Sequence, residues 1–294
     1  MRIMRDFENL NPFCSCLFLL SAVLLTALFP HPALVALSLV GSVALFVFTK
    51  GAEGMKTHIC FFILFIVMAA INPLFNHNGL TVLFVLNDNP VTLEALLFGL
   101  NSSAMIVSAL YWFASFSEIM TSDRLLYLLS GLSPKASLII SMALRYVPLF
   151  LRKKKEISQA GKGMGIFKDD NLPDRIKGHM GVFSALVTFG LENGIITADS
   201  MDARGYYIGK RRRFSNFSFR RGDLVFSVLA LFFVYITLVG GFLGKFSFDF
   251  YPSVFGQNPG EPLLFLSAFG TFVLLPVLLN IKEELKWRKL RRKI

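Results

Sequence analysis

DLVFSVLALFFVYITLVGGFLG, residues 223–244, is the stretch on which the reading of this chain turns. It carries one charged side chain, Asp223 at its first position, and is then apolar for about the 20 residues a helix needs to cross the hydrocarbon core of a bilayer. Immediately before it stand Lys210, Arg211, Arg212, Arg213, Arg220 and Arg221. An apolar run entered from a basic flank reads as a membrane helix that starts on the cytoplasmic side.

Outward from this stretch, similar runs occupy residues 13–29, 33–49, 59–75, 95–117 and 262–280, giving about six spans. The composition agrees: 54% of the 294 residues are hydrophobic, 32 of them Phe, more than a soluble domain of this length can bury. Arg2 and Arg5 before the first run resemble a signal peptide. Phe29-Pro30-His31-Pro32 lacks the small-residue cleavage pattern and a second run follows at once, so the first helix is expected to be retained.

Charge then sets the topology. Lys and Arg number 2 in residues 1–12, none in 30–32, 2 in 50–58, none in 76–94, 18 in 118–222, 1 in 245–261 and 7 from 281 onward. The basic segments alternate with segments that hold at most one Lys or Arg, which is expected to place both termini and residues 118–222 in the cytoplasm. Anionic lipid and topology account for the +11 formal charge more simply than nucleic acid does.

Two further apolar stretches, residues 136–151 and 180–198, resemble spans. If one crossed, the tail with Lys282, Lys286, Arg288, Lys289, Arg291, Arg292 and Lys293 would fall outside. If both crossed, Arg152, Lys153, Lys154, Lys155, Lys162, Lys168, Arg175 and Lys177 would be external, and Arg145 and Glu192 would sit in lipid. They therefore read as long cytoplasmic helices whose apolar faces need a partner. The expected fold is all-α: a membrane region of four spans over 1–117, a cytoplasmic helical segment over 118–222, two spans over 223–280, and a basic tail over 281–294.

Catalytic chemistry is hard to place. Gly205-Tyr206-Tyr207-Ile208-Gly209-Lys210-Arg211 has one residue too few between its glycines for a phosphate-binding loop, and no Ser or Thr after the Lys. His31, His58, His77 and His179 lack metal-ligand spacing, and Cys14, Cys16 and Cys60 form no even set. The spans hold almost no ionisable residue of the kind ion-coupled carriers use. Gly240-Gly241-Phe242-Leu243-Gly244 and Asn101-Ser102-Ser103 read as helix-packing features, and Asp199 and Asp202 as capping or pairing locally with Arg204.

The cytoplasmic segment contains Arg145-Tyr146-Val147-Pro148, ISQAGKGMG over 157–165 and TADSMDARGYYIG over 197–209. With His31-Pro32, the stretch from Asn72-Pro73-Leu74-Phe75 through His77 and Gly79, and Pro90-Val91-Thr92 to Glu94, these resemble the transmembrane T component of energy-coupling factor (ECF) transporters. The resemblance implies a non-catalytic scaffold in a prokaryotic cytoplasmic membrane. It joins two cytoplasmic ABC ATPase subunits, which hold the ATP and Mg, to a small membrane substrate-capture (S) component for a vitamin or metal ion.

Family members carry two motifs with a central Arg, often Ala-Arg-Gly, at the ends of coupling helices that dock in the ATPases. The second is intact here as Ala203-Arg204-Gly205. The first is taken as Gly161-Lys162-Gly163, with Lys in the place of Arg, and Arg145, Pro148 and Asp202 as support. Lys keeps the charge but lacks the planar fork of Arg. The rival readings are a conventional ABC permease subunit, which would carry a single coupling helix, a membrane-embedded enzyme, and a nontransporting anchor.

Overall fold

The computed structural model describes residues 10–76, 79–86, 89–165, 172–206, 208–209, 217–248, 250–251 and 263–291. His77, Lys168, Tyr207, the run 210–213, and Arg292 and Lys293 lie outside the described residues. The elements are α1 (Pro12–Leu28), α2 (Pro32–Lys50), a 3-10 turn (Gly51–Gly54), α3 (Met55–Phe75), β1 (Val82–Leu86), β2 (Asn89–Thr92), α4 (Leu93–Ile119), α5 (Ser122–Leu132), α6 (Pro134–Gly163), α7 (Leu172–Ala203), α8 (Arg221–Phe242) and α9 (Leu263–Arg291). They form two compact units: Met1–Leu125 with Phe217–Ile294, and Leu126–Asn216.

In the first unit the helix starts follow local chemistry. Asn11 accepts from the Phe13 N–H ahead of Pro12, and the His31 ring accepts from the Ala33 N–H ahead of Pro32, so a proline with no N–H to lose occupies the first turn of both α1 and α2. At α8 the buried Asp223 carboxylate accepts from the Arg220 N–H at 2.9 Å and, more weakly, from the Asn11 N–H at 3.4 Å. The starts of α1 and α8 are therefore neighbours.

That pairing fixes a parity. The Lys50–Glu118 ion pair, 3.7 Å, joins the ends of α2 and α4, while Asn101 of early α4 donates to the Pro30 carbonyl at the α1–α2 turn. So α2 and α4 run in parallel. With α1 to α4 crossing in succession, α8 begins on the side where α1 begins. An even number of crossings separates α4 from α8. The end with Lys50, Lys56, Arg220 and Arg221 is the basic one, and Lys245 is the single basic residue in the segment joining α8 to α9.

Among the described residues, seven helices are long and apolar enough to cross a membrane by length and composition: α2, α3, α4, α6, α7, α8 and α9, while α1 is shorter at 17 residues. The mean hydropathy is 2.2 to 2.4 for α2, α3, α8 and α9, 1.6 for α4, 1.3 for α7 and 1.2 for α6. Parity allows α6 and α7 to cross together or not at all.

The core of the first unit is aromatic. Phe18 lies against Trp112, Phe226 and Phe272, knitting α1, α4, α8 and α9 together. Trp112 donates its indole N–H to Ser38 Oγ at 3.0 Å, Ser38 meets Thr26 Oγ1 at 2.9 Å, and Thr26 bonds back to the Ala22 carbonyl at 2.6 Å. All of these polar atoms are satisfied without water, as an interior facing lipid requires. Ser38→Ala is expected to cost about 1–3 kcal/mol by orphaning the indole N–H. Thermal unfolding in detergent should show that loss, and adding Trp112→Phe should cost less than the sum of the two single changes.

Glycines set the closest approaches. A Cβ at Gly41 would overlap Val273 of α9, one at Gly99 would come within 2.9 Å of Asn72 Cβ, and one at Gly240 within 2.7 Å of the Phe265 ring. The packing role expected for residues 240–244 and 101–103 is thus realised at Gly240, at Gly241 beside Phe29, and at Asn101.

The β1–β2 hairpin is a feature the sequence reading passed over, having counted 76–94 as a segment without Lys or Arg. Val82 pairs with Thr92, and Phe84 with Val91, with a bulge between. Glu94 anchors it by accepting from Thr81 Oγ1 at 2.7 Å and the Thr81 N–H at 3.3 Å.

Candidate coupling site

The second unit is built on α6 and α7. Ser133 accepts from the Ala136 N–H and Pro134 opens α6, while Ser137 Oγ donates to the Leu126 carbonyl at the boundary with α5. The two long helices cross antiparallel, as the order of their contacts shows: Tyr146 with Thr197, then Phe150 with Gly190 and Phe189, then Lys153 with Phe189.

Chemistry at the crossing is specific. The Tyr146 hydroxyl lies 2.7 Å from Thr197 Oγ1, and Thr197 donates to the Asn193 carbonyl. Phe150 stacks beside Tyr146 at 5.8 Å and meets the edge of Phe189 at 6.1 Å. It fits because Gly190 leaves the space: a Cβ there would lie 2.9 Å from Phe150 Cζ. Pro148, inside α6 at this level, offers no N–H to the Leu144 carbonyl, which loosens the helix at the crossing. Arg145 is exposed beside the crossing, away from either helix end.

From the crossing each helix runs on as an arm. At 1.5 Å per residue, the arm from Phe150 to the end of α6 is about 21 Å long and that from Asn193 to the end of α7 about 16 Å. Because the helices are antiparallel, the two C-terminal ends lie on opposite sides of the crossing.

Both ends turn at a glycine of positive φ that donates to the carbonyl three residues back. At α7, Gly205 takes a left-handed φ of +74° and donates to the Asp202 carbonyl at 2.9 Å, and the Tyr206 N–H reaches the Met201 carbonyl at 3.1 Å. This is a Schellman closure with Arg204 as the last residue before the glycine. At α6, Gly165 takes φ +69° and donates to the Lys162 carbonyl at 3.0 Å. The residue before that glycine is Met164.

This register differs from the sequence correspondence by two residues. Counted from the terminating glycine, Gly163-Met164-Gly165 is the counterpart of Ala203-Arg204-Gly205, and Lys162 is the counterpart of Asp202. Lys162 lies two residues back, about 200° around the helix from Met164. Gly161-Lys162-Gly163 is therefore at the helix end but not in the position of the second motif. ISQAGKGMG contains Gly-x-Gly twice, and only the backbone tells which glycine stops the helix.

The expected pairing of Asp199 or Asp202 with Arg204 is absent among the described residues. Separations of five and two residues place the carboxylates off the i,i+3 and i,i+4 rows. Asp202 instead borders a groove of about 330 Å³ between the helices, with Leu138, Ile139, Met142, Thr197 and Tyr206. Arg204 is exposed. So are Ile139, Leu151, Met180, Phe183, Leu191 and Ile195, each by more than 60%. Helices with this much bare apolar surface need lipid or protein against them.

Residues 8–215 match the family model CbiQ, described as cobalt transport protein. An energy-coupling factor transporter transmembrane protein, EcfT 1, of Listeria monocytogenes is 33% identical over 91 residues, which is 30% of this chain. The match spans 34% of that relative's length. A family match across more than two thirds of an all-α chain of apolar helices places it: the chain belongs to the CbiQ/EcfT-type family of energy-coupling factor transporter transmembrane proteins.

Proposed function

We propose that the chain is the energy-coupling scaffold of an ATP-driven importer. The observation that carries this is the pair of long crossed helices whose similarly closed, exposed ends lie on opposite arms. Two cytoplasmic ATPase subunits hold ATP and Mg and take one end each, the region of Gly161-Lys162-Gly163 on α6 and Ala203-Arg204-Gly205 on α7. When ATP draws the ATPases together the ends approach, the helices pivot about Tyr146, Phe150 and Gly190, and their apolar faces tilt a small membrane protein that has captured the substrate. The cargo is a vitamin or a metal ion, with cobalt first to be tried because the family model is described as cobalt transport.

Tandem charge supports docking on the cytoplasmic side: Arg152, Lys153, Lys154 and Lys155 line the α6 arm. The chain itself performs no chemistry in this scheme. Purification of the tagged chain from its native membrane in mild detergent tests it. Two ATPase subunits and a small membrane protein are expected to accompany it in defined stoichiometry. Recovery of the chain alone, or as a homodimer that sustains uptake, would overturn the scheme.

A further inference from the structure

We propose that the β1–β2 hairpin lies against the bilayer in the lipid headgroup layer, at the end of the bundle opposite the basic one, and fixes the depth of α3 and α4 there. Leu80, Val82, Leu83 and Val85 are each more than half exposed. No Asp, Glu, Lys or Arg occurs from Thr57 to Asn87, so the chain leaves α3 and builds β1 without one charged side chain. A connection meant for bulk water does not keep four large aliphatic side chains bare. Such a patch marks a surface that lipid or protein covers.

Lipid is the occupant because the patch continues a surface that lipid already wets. Ile71, Leu74 and Phe75 at the end of α3 are exposed, as are Leu93, Leu96 and Leu100 at the start of α4, so the bare apolar surface runs along the chain from one helix through the hairpin to the next. Little of α3 is buried within the protein. The strands set the depth. A two-stranded sheet turns the outer N–H and C=O groups of both strands away from each other, and hydrocarbon offers those groups no partner. The headgroup layer supplies water and phosphate oxygens to the edges and acyl surface to the side chains.

The hairpin is braced at its root. The Leu93 N–H donates to the Thr81 carbonyl at 3.0 Å, beside the bonds that Thr81 gives to Glu94. Gly79, at φ +141°, brings the incoming chain so close that an added Cβ would lie 2.6 Å from Glu94 Oε2 and 2.8 Å from Thr92 Oγ1. These ties join β1 to the first turn of α4. Whatever holds the hairpin in the interface therefore also holds α4, and with it α3, which packs on α4 where Gly99 meets Asn72. Gly79, Thr92 and Glu94, which the coupling scheme leaves unused, gain a role in this way.

The test attaches the fluorophore NBD to Val82→Cys and, separately, to Val85→Cys in the full-length chain, purified in mild detergent with whatever accompanies it and reconstituted in phosphatidylcholine vesicles. Cys16→Ser and Cys60→Ser remove the accessible thiols, the buried Cys14 stays, and the chain without an added cysteine gives the background. A label at Glu156→Cys, an exposed position on α6, reports full contact with water. Both hairpin labels are expected to be quenched several-fold more by lipid brominated near the carbonyl end of its acyl chains than by lipid brominated near the methyl end. Iodide, present on both sides of the vesicles, should quench them several-fold less than the control label. Iodide quenching equal to the control, with none from brominated lipid, places the hairpin in water and overturns the inference. Shielding from both quenchers assigns the patch to a protein partner and overturns it too, and strongest quenching from the methyl-end bromine contradicts the headgroup placement. None of these outcomes bears on the coupling scheme.

Discussion

Arg204→Glu is expected to lower ATP-driven uptake by at least about tenfold, the equivalent of one charge-assisted contact, while the chain reaches the membrane at its usual level. The uptake is measured for the vitamin or metal ion whose accumulation is lost when the chain is deleted. Insertion should survive because the end of α7 is closed by backbone: the Gly205 and Tyr206 N–H groups and the positive φ of Gly205 do that work, and the Arg204 side chain takes no part. Docking should not survive, since Arg204 is exposed and without an ion pair among the described residues, and a carboxylate in its place would repel an acidic groove. Arg204→Lys should fall between the two, because Lys keeps the charge but not the fork. Uptake unchanged in Arg204→Glu would remove the α7 end from the coupling scheme.

The membrane region was legible because it rests on composition. Apolar runs give the membrane helices with no knowledge of packing, and the neighbouring starts of α1 and α8 agree with an even number of crossings between α4 and α8. Packing partners were legible only where the residue itself is unusual, as at Gly240 and Asn101. The contact of Phe150 with Gly190 was not, because one glycine in an apolar helix has many explanations. Nor was the hairpin: Val82 to Thr92 alternates weakly, and its anchor, the Thr81–Glu94 bond, is tertiary.

The coupling site divides along the same line. Ala203-Arg204-Gly205 is readable because one glycine follows one arginine, so motif and helix end coincide. In ISQAGKGMG three glycines compete to end the helix, and the backbone turns at the last of them, Gly165, two residues beyond Gly163. Register at a helix end is a hydrogen-bond property. A sequence with several left-handed candidates leaves it open.

Gly190→Ile should uncouple the machine without taking it apart. At this position even a Cβ lies 2.9 Å from Phe150 Cζ, so a branched side chain must drive Phe150 off its stack with Tyr146 and its edge contact with Phe189. Overpacking of this kind costs about 1–3 kcal/mol, enough to shift the crossing while both helix ends remain closed by their own glycines. Both ATPases should therefore still co-purify and still hydrolyse ATP, while uptake falls about tenfold, since an arm that no longer bears on its partner transmits no tilt. Gly190→Ala, which asks only the far end of one ring to yield, should be mild. Phe150→Ala added to Gly190→Ile reopens the space and should restore part of the uptake, a non-additivity that a general loss of folding would not produce. Loss of the ATPases together with uptake in Gly190→Ile would mean that the crossing holds the unit together and is not its pivot.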